Sequence, residues 1–265
     1  MLGWDVEEPR SGGLGYSRAI AAIAVVIPCF NEAERLDLQA FSAAIEERVD
    51  WTFVFVDDGS TDATAEILDG LRAPHPDRVE VLRLAENAGK GEAVRRGMLA
   101  AMNRGAEVVA YADADLSAPL DELGRLIALL VDEEGLAAVL GSRFRRLGAD
   151  IRRSELRHVA GRVYATLASA ALGVGIYDTQ CGAKAFRSTS RLRDALAEPF
   201  RERWAFDVEL LSRLTRGRNP APWSSIVEEP LLQWHAKPGS KLKSGQAVRA
   251  AAELLRIGHR HRRET

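Results

Sequence analysis

The chain carries only two cysteines, Cys29 and Cys181, in 265 residues. Neither stands in a CxxC pair or beside a histidine, which argues against a disulfide scaffold and against a zinc site. No uninterrupted apolar run reaches the roughly 18 residues needed to cross a bilayer. Residues Met1 to Arg18 hold acids and glycines but no apolar h-region, so no secretory signal is expected. The net charge of -2 creates no global field of the kind that draws nucleic acid. Internal repeats and low-complexity tracts are absent too. These absences predict a cytoplasmic protein, or one resting peripherally on the cytoplasmic face of a membrane.

What is present is ordinary for a globular chain. Hydrophobic residues make up 46% and charged residues 28%, and the length suffices for a substantial core. Residues 1–20 read as a loose leader, 21–242 as one domain, and 243–265 as a basic C-terminal helix and tail. Charge is uneven along the chain. Seven arginines fall between Arg143 and Arg162 against Asp150 and Glu155, and three lysines and five arginines follow from Lys237 onward against Glu253 and Glu264. Such clusters are either solvated surface or contacts for phosphates and an anionic membrane face.

Apolar runs alternate with helical periods. Strands are expected at Ile23–Ile27, stopped by Pro28, then at Thr52–Val56, Val79–Leu84, Val108–Ala112 and Ala137–Leu140. Helices are expected between them: Ala33–Val49 with Leu36, Leu38, Phe41 and Ile45 inward, Ala63–Leu71 capped by Ser60 or Thr61, Glu92–Asn103, and Asp121–Glu133. This alternation predicts an α/β fold with a mainly parallel sheet and helices on both faces. The second half is less regular. Helices are expected at Glu155–Leu172, with Val159, Val163, Leu167 and Leu172 on or near one face, and at Phe206–Leu214 and Gln246–Ile257. Short strands are expected at Ala183–Phe186 and Ile226–Val227.

The chain is organised around Tyr111-Ala112-Asp113-Ala114-Asp115. Residues two apart in a strand face the same side, so both carboxylates lean toward one point at a strand end. That arrangement suits a hard divalent cation, which prefers oxygen ligands and neutralises phosphate oxygens. An isolated Asp-X-Asp triplet is equally an ordinary strand end with two solvated acids. Here, however, polar clusters recur after successive strands: Pro28 to Glu32, Asp57 to Ser60, Asp113 to Asp115, and Gly141 to Arg143. Ligands of open α/β sheets bind beyond the carboxyl ends of the strands, so the four clusters would share one cleft.

Ile27-Pro28-Cys29-Phe30-Asn31-Glu32, Val56-Asp57-Asp58-Gly59-Ser60-Thr61-Asp62, Asn87-Ala88-Gly89-Lys90-Gly91 and Asp113-Ala114-Asp115 resemble the family 2 glycosyltransferases of the GT-A fold. Tyr177-Asp178-Thr179-Gln180-Cys181-Gly182-Ala183-Lys184, Arg203-Trp204-Ala205-Phe206-Asp207-Val208-Glu209-Leu210-Leu211 and Gly239-Ser240-Lys241-Leu242 narrow the resemblance to dolichyl-phosphate β-glucosyltransferases, with dolichyl-phosphate mannosyltransferases as close relatives. The likeness spans roughly Ala24 to Leu242.

The resemblance implies an inverting hexosyltransferase with a nucleotide-sugar donor, UDP-glucose or else GDP-mannose, and a polyprenyl-phosphate acceptor. A soluble acceptor, or a non-catalytic nucleotide-sugar binding module, are the alternatives. Asp58 would bond the base, with Asp57 beside it and Glu32 and Pro28 lining the same pocket. Asp113 and Asp115 would hold Mg²⁺ or Mn²⁺ against the diphosphate. Lys90 and Arg143 are expected as further phosphate partners. Asp178 and Gln180 would read the sugar, and Arg157, His235 and Lys241 would bind the lipid phosphate. Asp207 matches the position of the family's base, yet it also reads as an acceptor-site or sugar-binding acid, or as a first-turn helix acid favoured by the dipole. Cys181 reads as packing, because no base adjoins it. Eukaryotic members of the glucosyl group carry an N-terminal membrane anchor and many relatives carry C-terminal membrane helices; neither is expected here, so membrane contact is expected from the Glu155–Leu172 helix or the basic tail.

Overall fold

The computed structural model describes residues 22–237 and 246–263. The 1–20 leader and Lys241 therefore lie outside the described residues. The elements run β1 Ile23–Cys29, α1 Leu38–Glu47, β2 Trp51–Asp57, α2 Thr64–Arg72, β3 Val79–Arg83, α3 Lys90–Asn103, β4 Val108–Tyr111, α4 Leu120–Asp132, β5 Ala138–Ser142, β6 Asp150–Arg152, α5 Glu155–Leu172, β7 Lys184–Arg187, α6 Ser190–Leu196, α7 Phe206–Arg216, β8 Ile226–Pro230, β9 Gln233–His235 and α8 Gln246–Arg263. Seven strands form one sheet in the order β3-β2-β1-β4-β7-β5-β8, and β6 pairs with β9 in a second, small sheet. Only β7 runs antiparallel, between β4 and β5.

The expected α/β architecture is present, and its core lies in two layers. Residues of β1 such as Val25 and Ile27 pack with Phe41, Phe55 and Leu123 on one face. Ala24 and Val26 pack with Met98, Tyr111 and Leu211 on the other. Continuous burial along β1 and nearly all of β2 is what a parallel strand covered by helices on both sides requires.

Pro28 does not stop β1, which continues to Cys29. The proline instead ends one of its two ladders. Pairing with β2 persists to Cys29↔Asp57, whereas pairing with β4 stops at Val26↔Tyr111. Alternate residues of a central strand bond to opposite neighbours, and Pro28 falls on the β4 side, where it has no N–H to donate. The β4 chain is thereby released after Ala112, where Asp113 and Asp115 begin.

Other boundaries differ for local reasons. The α1 helix starts only at Leu38, because the Asp37 carboxylate accepts the N–H of Ala40 as its cap. Leu38 is left exposed, while Leu36, Phe41 and Ile45 are buried as expected. Neither Ser60 nor Thr61 caps α2. Ser60 Oγ accepts the N–H of Asn31, and the N–H of Thr61 donates to Asn31 Oδ1, so both tie the loop after β1 to the loop after β2. The Asp62 carboxylate accepts from the N–H of Thr64 instead.

The α5 span matches expectation, but its large side chains point outward. Leu156, Val159, Val163 and Leu167 are exposed, whereas Ala165, Ala168, Ala171 and Leu172 are buried. Small residues on the inner face let α5 approach its neighbours closely.

Candidate active site

Strand β4 ends at Tyr111 and the chain turns at Ala114 and Asp115, so contacts from other elements, not strand alternation, hold the two carboxylates. Asp113 Oδ1 accepts from Lys90 Nζ at 2.5 Å. Asp115 Oδ2 accepts from Arg35 Nη2 at 2.5 Å, and its Oδ1 accepts the N–H of Ser117 at 3.0 Å. Arg35 also reaches Glu32 Oε1 at 3.3 Å, linking the β1 loop to the acidic pair. Gly182 lies so close that any Cβ there would collide with the Asp113 carboxylate; only glycine permits that approach. Burial alone would raise the Asp113 carboxyl, but Lys90, Lys184 and Arg143 outweigh it and hold it below the ordinary range. Burial would conversely lower the Lys90 ammonium, and Asp113, Asp207 and Asp115 raise it.

The turn before α3 is held from β2. Asp58 is 2% exposed, and its two oxygens accept the N–H groups of Ala88 and Gly89, each at 2.8 Å. Burial raises the Asp58 carboxyl more than those two bonds lower it. Gly89, with φ of 99°, supplies the left-handed backbone that aims Lys90 at Asp113. The Asp57 carboxylate accepts the N–H of Ser60 at 2.9 Å.

On the far side, Arg143 and Asp178 form a bidentate pair, Nε to Oδ2 at 2.6 Å and Nη2 to Oδ1 at 2.8 Å. Asp178 is buried, yet Arg143 overcomes the cost of burial and holds the carboxyl low. Asp207, in the first turn of α7, accepts from Lys184 Nζ at 2.9 Å and from the Tyr111 hydroxyl on Oδ1, and from Gln180 Nε2 at 3.3 Å on Oδ2. Burial, reinforced by Asp207, raises the Tyr111 hydroxyl far above its ordinary value.

Part of this set lines one cavity of about 480 Å³. It brings together Lys90, Asp113, Asp115, Arg143, Arg157, Asp178, Gln180 and Asp207. Pro28, Glu32, Asp57 and Asp58 are not part of its wall; they occupy the adjoining ends of β1 and β2. His235 is not part of it either. Trp234 faces the cavity, so its neighbour in the strand turns the other way, and the ring pairs with Asp150 Oδ2 at 2.8 Å. His235 is thus paired with Asp150 beside the cavity and is not among the residues that line it. Cys181 is fully buried, and burial pushes its thiol up to about 11, consistent with packing.

Four residues carried no expected role. Arg35 reaches Asp115 from a turn, and nothing in the sequence marks that contact. Arg153 lines the cavity, and its buried Nε has no hydrogen-bond partner among the described residues; burial and the nearby Arg143 push its guanidinium down. Trp204 forms part of the wall. Lys184 is 1% exposed, and here a signal existed. A lysine flanked by Ala183, Ala185 and Phe186 in a strand must find a buried partner.

The Asp113 and Asp115 carboxylates fit a hard divalent cation. They are oxygen donors at one strand end, and each is held by a cation through a single oxygen, leaving further lone pairs. No group of three or more candidate ligands occurs among the described residues. A pair of carboxylates completed by phosphate oxygens and water is the usual arrangement for Mg²⁺.

A profile of the family described as "Glycosyl transferase family 2" matches residues 24–191. The chain belongs to the family 2 glycosyltransferases. A dolichyl-phosphate beta-glucosyltransferase of Trichomonas vaginalis is 33% identical over 88% of this chain and 69% of its own length. The Drosophila melanogaster dolichyl-phosphate beta-glucosyltransferase is 34% identical over 83% and 69%. A polyprenol monophosphomannose synthase of Mycolicibacterium smegmatis is 30% identical over 86% and 83%. Among solved structures, the Mycobacterium tuberculosis glucosyl-3-phosphoglycerate synthase in complex with Mn²⁺ and UDP-glucose superposes with a TM-score of 0.64 at 22% identity, covering 90% of this glycosyltransferase and 79% of that chain. That likeness supports the GT-A fold.

Proposed function

We propose that this glycosyltransferase moves glucose from UDP-glucose to a polyprenyl phosphate with inversion at C1, using Mg²⁺ or Mn²⁺ held by Asp113 and Asp115. The observation that carries the proposal is the polarity of one cavity. Asp113 and Asp115 share it with Arg143, Arg153 and Arg157 and with the apolar side chains of Val163, Leu167 and Trp204. A metal-bound diphosphate leaving group needs the carboxylates, and a phosphate on an apolar chain needs the cations and the apolar side chains.

The acceptor phosphate is largely dianionic near neutral pH, so its oxygen attacks C1 without giving up a proton. A bond forms from that oxygen to C1, the bond from C1 to the diphosphate oxygen breaks, and the electron pair leaves with the nucleoside diphosphate. The bound divalent ion would supply positive charge against the leaving diphosphate. Lys90 supports the same charge from the α3 terminus. Arg153 and Arg157 orient the acceptor phosphate, and Lys241, outside the described residues, would join them. Asp58 and Asp57, with Glu32 and Pro28, would form the nucleoside end. Asp178 positions Arg143. Asp207 has no base role in this reaction; held by Lys184 and Tyr111, it fixes Gln180, whose amide faces the sugar.

Peripheral membrane contact is supported by α5. Its outer stripe of Leu156, Val159, Val163 and Leu167 reaches the cavity at Val163 and Leu167, and the Arg143–Arg162 segment that includes its first turns carries seven arginines. No helix among the described residues is long and apolar enough to cross a membrane.

The test is a donor and acceptor matrix. Release of UDP from UDP-glucose should require a polyprenyl phosphate and yield a glucosylated lipid. GDP release from GDP-mannose instead would reassign the donor. Transfer only to a water-soluble phosphate would overturn the lipid acceptor.

A further inference from the structure

The Arg143 guanidinium is held on its edge and on its face. Its edge makes the bidentate bonds to Asp178 already described. Its face lies over the Trp234 ring of β9, with the guanidinium carbon 5.3 Å from the ring centroid, inside the range of cation–π attraction. Arg143 lines the cavity, yet only 18% of its side chain is exposed. A guanidinium held this way has lost its rotamer freedom before a ligand arrives, which lowers the entropic cost of binding.

Asp178 is itself held through its backbone. The peptide between Tyr177 and Asp178 is engaged at both polar atoms: Arg162 Nη1 donates to Tyr177 O at 2.7 Å, and the Asp178 N–H donates to Glu228 Oε1 at 2.7 Å. The second oxygen of Glu228, Oε2, accepts the Tyr177 N–H, also at 2.7 Å. One carboxylate therefore takes two successive backbone N–H groups, and hydrogen bonds to an ionised acceptor are the strong ones. The sheet register brings Glu228 there. Strand β8 runs parallel to β5, with Leu140 opposite Glu228 and Ser142 opposite Pro230, and Arg143 follows Ser142 directly. Glu229, on the other face of the same strand, pairs with Arg125 instead. Glu228 is not part of the cavity wall, so it acts on a ligand only through other residues.

We infer that Glu228 is a positioning residue for phosphate recognition: by fixing the Tyr177–Asp178 backbone, it makes Asp178 present Arg143 to a phosphate in the cavity. The inference rests on the phosphate-transfer reading above, and the phosphate is either the donor's diphosphate or the acceptor's monoester. The sign of the effect separates positioning from charge. By charge alone, removing a carboxylate near Arg143 makes the site more positive and tightens phosphate binding. By positioning, removing it frees backbone N–H groups, loosens Asp178 and weakens phosphate binding.

Glu228→Gln replaces one accepting oxygen by an amide NH₂, which cannot accept from a backbone N–H. Glu228→Asp keeps the charge but shortens its reach by one methylene. Calorimetry on the full chain with Mg²⁺ compares UDP, geranyl phosphate and uridine. Either variant should weaken UDP or geranyl phosphate by about tenfold, the scale of one charge-assisted hydrogen bond, with uridine affinity unchanged as the sign of a folded protein. A loss on UDP assigns Arg143 to the leaving diphosphate, and a loss on geranyl phosphate assigns it to the acceptor. In an Arg143→Gln background, Glu228→Gln should cost nothing further. The Arg143 Nε–H signal in a nitrogen-edited NMR spectrum should persist in the unaltered protein and fade in both variants. Unchanged or tighter phosphate binding, an equal loss of uridine affinity, or a loss that persists in the Arg143→Gln background overturns the inference. If the unaltered protein binds neither UDP nor geranyl phosphate, the phosphate-transfer reading fails, and the Nε–H signal alone then decides whether Glu228 fixes Arg143.

Discussion

Lys184 Nζ lies 2.9 Å from Asp207 Oδ1, and the two side chains are 2% and 6% exposed. The pair joins β7, the single antiparallel strand of the main sheet, to the first turn of α7 beneath the cavity. A buried charge that loses its partner is strongly destabilising. Lys184→Met should therefore lower unfolding stability by about 3–5 kcal/mol, read by denaturant titration. Adding Asp207→Leu should recover part of that loss. Equal and additive losses would show that the pair is not coupled.

Asp115→Ala should reduce turnover by about a hundredfold or more, since the leaving diphosphate loses charge stabilisation worth several kcal/mol. EDTA should do the same to the unaltered protein, and Mn²⁺ binding followed by electron paramagnetic resonance should weaken in the variant. Full activity in EDTA would remove the metal assignment.

Asp58→Ala frees the N–H groups of Ala88 and Gly89. Hydrogen exchange at these two amides should accelerate, and UDP affinity should fall, with a smaller change in kcat at donor saturation. Unchanged affinity together with fast exchange would assign Asp58 to the turn alone.

Acid sensitivity should follow the Arg143–Asp178 pair. The Asp178 carboxyl is held below its ordinary value of 3.8 in the folded chain. A lowered folded value adds stability that is present above pH 3.8 and lost as pH falls through the folded value. Asp178→Asn should flatten this part of the stability curve below about pH 4. An unaltered slope would place the acid transition elsewhere.

Leu156 and Val159 are 81% and 58% exposed. Leu156→Glu and Val159→Glu should each weaken binding to anionic liposomes by about tenfold, the loss of one buried apolar side chain. Binding of the unaltered protein should also decline as salt rises and shortens the screening length. Binding that ignores both changes would move the membrane contact off α5.

The first half of the site was legible in the sequence because its signals are local. An apolar run predicts a buried strand, and Asp113 and Asp115 follow it directly; β4 ends at Tyr111 and the chain turns at Ala114 and Asp115, so strand alternation does not set where the two carboxylates point. The α5 span was legible for the same reason, through its period and its end points. Which face of α5 turns inward was not, because an alanine stripe and a valine–leucine stripe can each serve as the packed side, and the choice depends on α8, which lies some 80 residues onward in the chain. Tertiary structure alone decided that β7 inserts antiparallel between β4 and β5, bringing Lys184 to Asp207 and Gly182 to Asp113. It alone brought Arg35 to Asp115, turned His235 away from the cavity, and brought Glu228 to the Tyr177 and Asp178 amides. Each of these contacts joins segments far apart in sequence. Their geometry follows from how whole elements pack, which no local pattern of residues encodes.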